Sequence, residues 1–268
     1  MATLLHFIRA RREEINGAGN GVRILHRTEV LREVGALKVD RYFAEKAPFF
    51  YRSQEAIIAD IRDGFFLTAF ESTLAKLPTV SSFQESHFGE IVAGIFCKDV
   101  LGLETLYSKL SFLSAENTNA YKMDLVMYET NSDPVNFVLG EVKCSPKSHS
   151  PAKHDESCFP DLFASFNTYV DADYNFDLTA ARDRLTALPP DLQTRIRNSL
   201  LPYGGGKVSY AGFAVIDLST FSTGEAQVLR TRKNDKAFEV DLICLEAFAE
   251  VAEAVYGDLH SLVKRKPQ

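Results

Sequence analysis

The chain lacks any pair of cysteines spaced to grip a metal or to hint at a disulfide framework. Cys97, Cys144, Cys158 and Cys244 are scattered through 268 residues. Reduced thiols in a cytosolic protein fit this pattern, and zinc does not, because none of the six histidines stands at ligand spacing to a cysteine. No stretch approaches the ~18 consecutive apolar residues of a membrane span. The start, Met1 to Arg12, has no basic region ahead of a long apolar one, so a secretory signal is not expected and the expected compartment is cytoplasmic. There is no internal repeat and no low-complexity segment. An excess of positive charge is also missing. Thirty Lys and Arg stand against 36 Asp and Glu, for a net charge of −6. DNA-binding domains that work alone are usually basic, because phosphate contacts dominate affinity. A nucleic-acid enzyme with this balance needs local positive charge, or a partner that holds the substrate.

What is present is apolar residue in quantity. At 46% hydrophobic and 25% charged, a chain of this length can bury a sizeable core, as one large domain or one domain with an accessory region. The most informative apolar run is Asn136-Phe137-Val138-Leu139, which leads into Gly140-Glu141-Val142-Lys143 and is closed by Cys144-Ser145-Pro146. It predicts a buried strand stopped by a proline. Side chains alternate along a strand, so Glu141 and Lys143 share one face and Val142 points to the other. A carboxylate beside an ammonium suits metal-dependent phosphodiester hydrolysis. The acid holds the cation, and the lysine orients a water or steadies charge on the phosphate.

Two further acids join this pair. Asp124 lies in a strand-like stretch, Tyr121 to Tyr128, and Thr130-Asn131-Ser132-Asp133-Pro134 is a cluster of turn formers between the two strands. The expected antiparallel hairpin sets Asp124 across from Glu141. Two carboxylates so placed repel unless a cation sits between them, and oxygen ligands suit Mg2+ or Mn2+. Upstream, Ser82 to Phe96 predicts a helix with a capping box from Ser82 to Glu85. Phe88, Ile91, Val92, Ile95 and Phe96 form its apolar stripe, with Glu90 close beside them. Next to Asp124, Glu141 and Lys143, Glu90 reads as an inward carboxylate.

These residues together resemble the PD-(D/E)xK nuclease superfamily. Its core runs helix, strand, strand, strand, helix, strand, with an acid on the first helix, an Asp on the second strand and Glu-x-Lys on the third. Glu90, Asp124, Glu141 and Lys143 match in that order over roughly residues 80 to 220, with Leu106 to Leu113 as the first strand. Met123 departs from the pattern, standing where the superfamily carries proline. The resemblance implies an α/β fold, a mixed sheet flanked by helices with a restriction-endonuclease-like core. It implies Mg2+ (or Mn2+) held by Glu90, Asp124, Glu141 and the Val142 carbonyl, with DNA as substrate. Phe88-Gly89-Glu90-Ile91, the hairpin, the length and the acidity also resemble the nuclease subunit of the Hachiman anti-phage defence system. That likeness implies a helicase partner that restrains the nuclease.

The rest of the chain divides accordingly. Residues 1–79 are expected as an accessory helical layer, with a turn at Gly17 to Gly21, a short strand at Val22 to His26, and a helix from Gln54 to Leu77. Ile57, Ile58, Ile61, Phe65, Phe66 and Phe70 would form that helix's apolar face, with Gly64 as its breaking point. Residues 80–268 form the nuclease core with its C-terminal strands and helix. Phe159 to Val170 predicts the core helix, whose Asn167 and Tyr169 are polar candidates better read as ordinary surface or capping residues. Helices at Leu178 to Leu188 and Asp191 to Leu201, strands at Val208 to Leu218 and Ala237 to Leu245, and a helix from Glu246 to Lys264 complete the pattern. Gly204-Gly205-Gly206-Lys207 has the wrong spacing for a phosphate loop and reads as a connector. Lys143, Lys147, His149, Lys153 and His154 form an acid-free run that can border a phosphate path or simply be a solvated loop. Lys264-Arg265-Lys266 reads as a frayed tail. Two other readings stay open. One is a catalytically inactive subunit that gates a helicase, and the other is an RNA nuclease, since no residue here reports on a 2′-hydroxyl.

Overall fold

The computed structural model describes residues 2–15, 22–65, 71–113, 123–145, 158–201, 203–220 and 236–264. A 3-10 turn, Leu4–Phe7, leads into β1 (Ile8–Ile15) and β2 (Val22–Val30). A small hairpin, β3 (Glu33–Val34) and β4 (Leu37–Lys38), precedes α1 (Val39–Lys46), α2 (Pro48–Tyr51) and α3 (Gln54–Arg62). Next come α4 (Ser81–Asp99), β5 (Leu103–Ser108), a 3-10 turn over Lys109–Phe112, β6 (Leu125–Glu129) and β7 (Phe137–Ser145). The chain continues through α5 (Cys158–Thr168), α6 (Asp171–Asp183), α7 (Pro190–Ser199), β8 (Val208–Asp217), β9 (Phe238–Leu245) and α8 (Phe248–Lys264).

Seven strands make one mixed sheet in the order β1-β2-β9-β8-β7-β6-β5. β5, β6 and β7 run antiparallel as a meander, whereas β7, β8, β9 and β2 are parallel neighbours. The central parallel strands β8 and β9 are largely apolar, Phe213 to Ile216 and Val240 to Leu245 being buried, as a sheet covered on both faces requires. One core joins α1, α4 and α8 to the first face through Phe43, Phe88, Phe96, Phe213 and Phe248. The other joins α5, α6 and α7 to the second face through Phe137, Phe159, Phe163, Phe166 and Phe238. This is the α/β fold of a mixed sheet flanked by helices. Among the described residues no helix is long and apolar enough to cross a membrane, and none of the four cysteines is in a disulfide.

Several local expectations change. Residues 1–79 are not only a helical layer, since β1 and β2 extend the sheet and β2 lies parallel to β9. The helix begins after Val80, which has no side-chain cap, so the Ser82 to Glu85 capping box does not form. The strand expected over Leu106 to Leu113 ends at Ser108, where the chain tightens into the 3-10 turn. Helix α3 stops at Arg62, and Gly64 follows at φ +84, the left-handed region where glycine alone is unstrained. Its apolar face is not covered: Ile58, Ile61 and Phe65 are exposed. Phe66, Phe70 and the turn at Gly17 to Gly21 lie outside the described residues.

Candidate active site

The β6–β7 hairpin has the register that strand alternation demands. Leu125 pairs with Gly140, and one step further the Asp124 N–H donates to the Gly140 carbonyl at 3.0 Å. Asp124 therefore sits opposite Glu141, just where β6 has yet to begin. Its Oδ2 accepts from the Val142 N–H at 2.8 Å, so the acid caps the strand edge left open beside it. Lys143 turns back to Glu141 on the shared face, Nζ donating to Oε1 at 2.7 Å.

Glu90 arrives from the other layer. Helix α4 can cross β7 closely because residue 89 is glycine; a Cβ there would lie 2.7 Å from the Cys144 Cβ. That approach brings the next residue, Glu90, into the electrostatic field of both Asp124 and Glu141. All three carboxylates are nearly inaccessible, at 8%, 5% and 5% exposure. The Glu90 Oε2 is buried with no hydrogen-bond partner among the described residues. Burial, and then the charge of Asp124, hold the Glu90 carboxyl well above the ordinary range. Burial, and then Asp124 again, push Glu141 up to about 7, although Lys143 pulls the other way. Such clustering disfavours ionisation until a cation supplies compensating charge.

Sequence reasoning missed one member. Lys109 is largely buried, donates from Nζ to the Asp124 Oδ1 at 3.1 Å, and donates its backbone N–H to the Asp124 carbonyl at 2.8 Å. The expectation of a strand through Leu113 hid it. Ser108, whose side chain accepts from the Leu110 N–H, is an ordinary 3-10 cap and was the available signal. Behind Glu90 lies a buried polar chain: His87 Nδ1 is 3.0 Å from the Tyr51 hydroxyl, which is 2.8 Å from that of Tyr256. Burial, and then Lys109, lower the His87 pKa to about 4, which keeps the ring neutral.

Other candidates fall elsewhere. Asn167 is exposed on α5. Tyr169 is buried, and its hydroxyl donates to Asp177 at 2.8 Å, away from the carboxylates. Tyr121, Lys122, Lys147, His149, Lys153, His154, Arg265 and Lys266 lie outside the described residues.

The donor set fits a hard divalent cation. It offers carboxylates, an orphaned buried oxygen and no soft ligand. The Val142 carbonyl points to the same side of β7 as its N–H, toward Asp124, because a strand residue's two peptide groups face one neighbour. As they stand, the acids are partly engaged by Lys109 and Lys143. Among the described residues no three acid, histidine or cysteine side chains are grouped to hold a metal ion as they stand.

A family model described as HamA matches residues 5–256, a span that takes in the N-terminal strands and every carboxylate above. No curated protein matches the chain.

Proposed function

The chain belongs to the HamA family, and from that membership we propose that it is the nuclease component of a Hachiman anti-phage defence complex, hydrolysing DNA phosphodiester bonds beside a helicase partner. The observation that carries the reading is the convergence of Glu90, Asp124 and Glu141 with two lysines at one opening of the sheet. Buried like charges cost several kcal/mol unless compensated, so a purely structural role gives no reason for three acids with one oxygen left unpaired.

Asp124, Glu141 and the Val142 carbonyl would hold Mg2+ or Mn2+, with Glu90 as a direct or water-mediated ligand. When bound, such a cation lowers the pKa of water and offsets charge on a phosphodiester. Lys143, anchored by Glu141 and largely withdrawn from solvent, orients a water and faces negative charge as it develops. Burial alone would lower its pKa, but Glu141 and Asp124 outweigh that and keep the ammonium protonated. Lys109 is held charged by Asp124 and Glu90 against the same burial. It supplies a second fixed positive charge on the far side of Asp124.

The net charge of −6 favours a helicase partner that carries the DNA-binding surface. The test is to incubate the purified chain, alone and co-purified with the helicase, with supercoiled and linear DNA in Mg2+ or in chelator. Metal-dependent cutting that is strongest in the complex is expected. Intact DNA under all these conditions would leave the gating role instead, and cutting of RNA in preference to DNA would change the substrate. A chain that elutes alone, and by itself binds duplex DNA tightly at physiological salt, would remove the need for the partner.

A further inference from the structure

We infer that the cleft between the α2–α3 junction and the outer edge of β5 is a phosphate subsite, holding a backbone phosphate of the nucleic-acid strand as it leaves the carboxylates. The occupant rests on the nuclease reading above; the anion site itself does not.

The cleft encloses about 640 Å3. Five cations line it, Lys46 and Lys98 among them, and three matter here: Arg52 at the end of α2, Lys76, and Arg184 at the end of α6. The Lys76 ammonium donates to the Tyr51 carbonyl at 3.2 Å and the Ser111 carbonyl at 3.0 Å. An ammonium has three donors, so one remains for a ligand. The Arg184 guanidinium lies 4.2 Å from the centre of the Phe112 ring, a stacked pose that fixes the orientation of its fork. Arg52 donates to the Ser72 hydroxyl at 2.9 Å. Burial, then Arg184, then Arg52, lower the Lys76 pKa, so these cations feel one another.

The acids lining the cleft are engaged elsewhere than at Lys76 and Arg184. Asp60 is paired with Arg52, and Glu104 with Lys98 at 2.9 Å. Asp99 accepts from the Leu4 N–H at 2.7 Å and from the Tyr42 hydroxyl. Among the described residues no carboxylate pairs with Lys76 or Arg184. In a chain of net charge −6, two half-buried cations facing the same space without an acid are the inverse of what the composition predicts. A bound anion is the simplest compensation, and a phosphodiester oxygen is the acceptor that an arginine fork and a lysine both suit.

The position of the cleft selects the strand. The 3-10 turn over Lys109–Phe112 touches both sites. Lys109 meets Asp124, the Ser111 carbonyl holds Lys76, and the Phe112 ring supports Arg184. At ~2 Å rise per residue the turn advances only roughly 6 Å, so one short element carries both sites, and a strand with a phosphate at the carboxylates can present a nearby one to Lys76 and Arg184.

The test reads binding without cleavage, so failure of the nuclease reading leaves it interpretable. Fluorescein-labelled single-stranded and duplex oligonucleotides are titrated in chelator at low ionic strength against wild type, Arg184→Glu and Lys76→Gln. Lys38→Glu, which makes the same charge reversal outside the cleft, is the control. The cleft variants should bind about tenfold or more weakly. Each lost phosphate contact should reduce the log–log salt slope by about 0.9 on duplex or about 0.7 on single strands, while the control barely moves. Thermal melts check folding, and Arg184→Gln replaces Arg184→Glu if the latter unfolds. Unchanged affinity and slope in both cleft variants would overturn the subsite. Strand binding that survives Arg184→Glu, while ATP binding measured in parallel is lost, would reassign the cleft to a free nucleotide. Survival of strand binding with loss of the co-purifying helicase would reassign it to a protein interface.

Discussion

Two buried acid sites lie side by side in this molecule and are built on opposite terms. Asp177, on α6, is wholly inaccessible. It accepts from the Tyr107 hydroxyl at 3.0 Å, the Tyr169 hydroxyl at 2.8 Å and the Met123 N–H at 3.2 Å. These donors are neutral and come from three separate segments, so the carboxylate is solvated by the protein itself. Glu90, Asp124 and Glu141 are almost as buried, yet they face one another, and one Glu90 oxygen has no partner among the described residues. Burial alone thus does not distinguish the two sites; neutral donors surround one acid, while charged lysines and an orphaned oxygen mark the other. The two sites are also joined. Met123, which Asp177 holds, is the residue before Asp124, so the first acid helps to fix the second cluster in place.

The sharpest way to break the comparison is to remove chemistry without touching structure. Glu141→Ala or Lys143→Ala should cut DNA cleavage by about 10²–10⁴-fold with an unchanged circular dichroism spectrum. Full cleavage by the double variant would end the assignment. Asp124→Asn should lower Mn2+ affinity at least about tenfold by calorimetry. The fold should survive, because the amide oxygen can still accept from the Val142 N–H. Equal affinity would remove Asp124 from the ligand set.

Asp177→Ala should act the other way. It strands two hydroxyls and an N–H, at about 1–3 kcal/mol each, and should lower the melting temperature by at least roughly 6 °C. An equally stable variant would mean that the donors are not doing what their geometry indicates. Glu90→Gln should raise the metal-free melting temperature slightly, by roughly 2–4 °C, since it discharges a buried acid that repels its neighbours. A drop comparable to that of Asp177→Ala would make the two sites alike.

The pH dependence sharpens the same point with the smallest signal. Burial and Asp124 push the folded-state pKa of Glu141 up to about 7, above the ordinary carboxyl value of 4.5, so between those values the folded chain binds the proton more tightly than the unfolded one. The associated stability is present in full below pH 4.5 and is lost as pH rises through 7. Metal-free protein should therefore melt lower at pH 8 than at pH 5.5, with a flatter profile in Glu141→Gln. A wild-type profile as flat as the variant's would contradict the shift.

Strand alternation and a turn cluster were enough to bring Asp124, Glu141 and Lys143 to one place, because a hairpin's register follows from local chemistry. Glu90 was legible as an acid beside an apolar stripe. Lys109 was not, because the pairing of β5 with β6 slips between Thr105 and Tyr107 and the strand gives way to a 3-10 turn. Only Ser108, the cap of the 3-10 turn, marks the change over Leu106 to Leu113, and a lone serine is a faint signal. Of the N-terminal strands, the start of β2 at Val22 to His26 was legible, but β1 and the rest of β2 escaped notice for another reason. Glu13, His26 and Arg27 interrupt their apolar pattern, and β2 gains its place from a neighbour far away in sequence. The apolar residues of α3 misled in the opposite direction. Periodicity predicted a buried face where Ile58, Ile61 and Phe65 are exposed.

That distant neighbour sets a clock on biosynthesis. Val30 pairs with Leu245, and β9 is the strip that joins β2 to β8. At ~5–20 residues per second, the ribosome takes roughly 10–40 s after releasing the first hairpin before β9 exists to receive it. Through that interval β2 offers an unpaired edge to any strand nearby, a hazard that nascent-chain chaperones exist to shield. A message cut short between Lys143 and Phe238 would yield a polypeptide that carries all three carboxylates but has nowhere to seat its own beginning. Quality control would then have an obvious handle for destroying it.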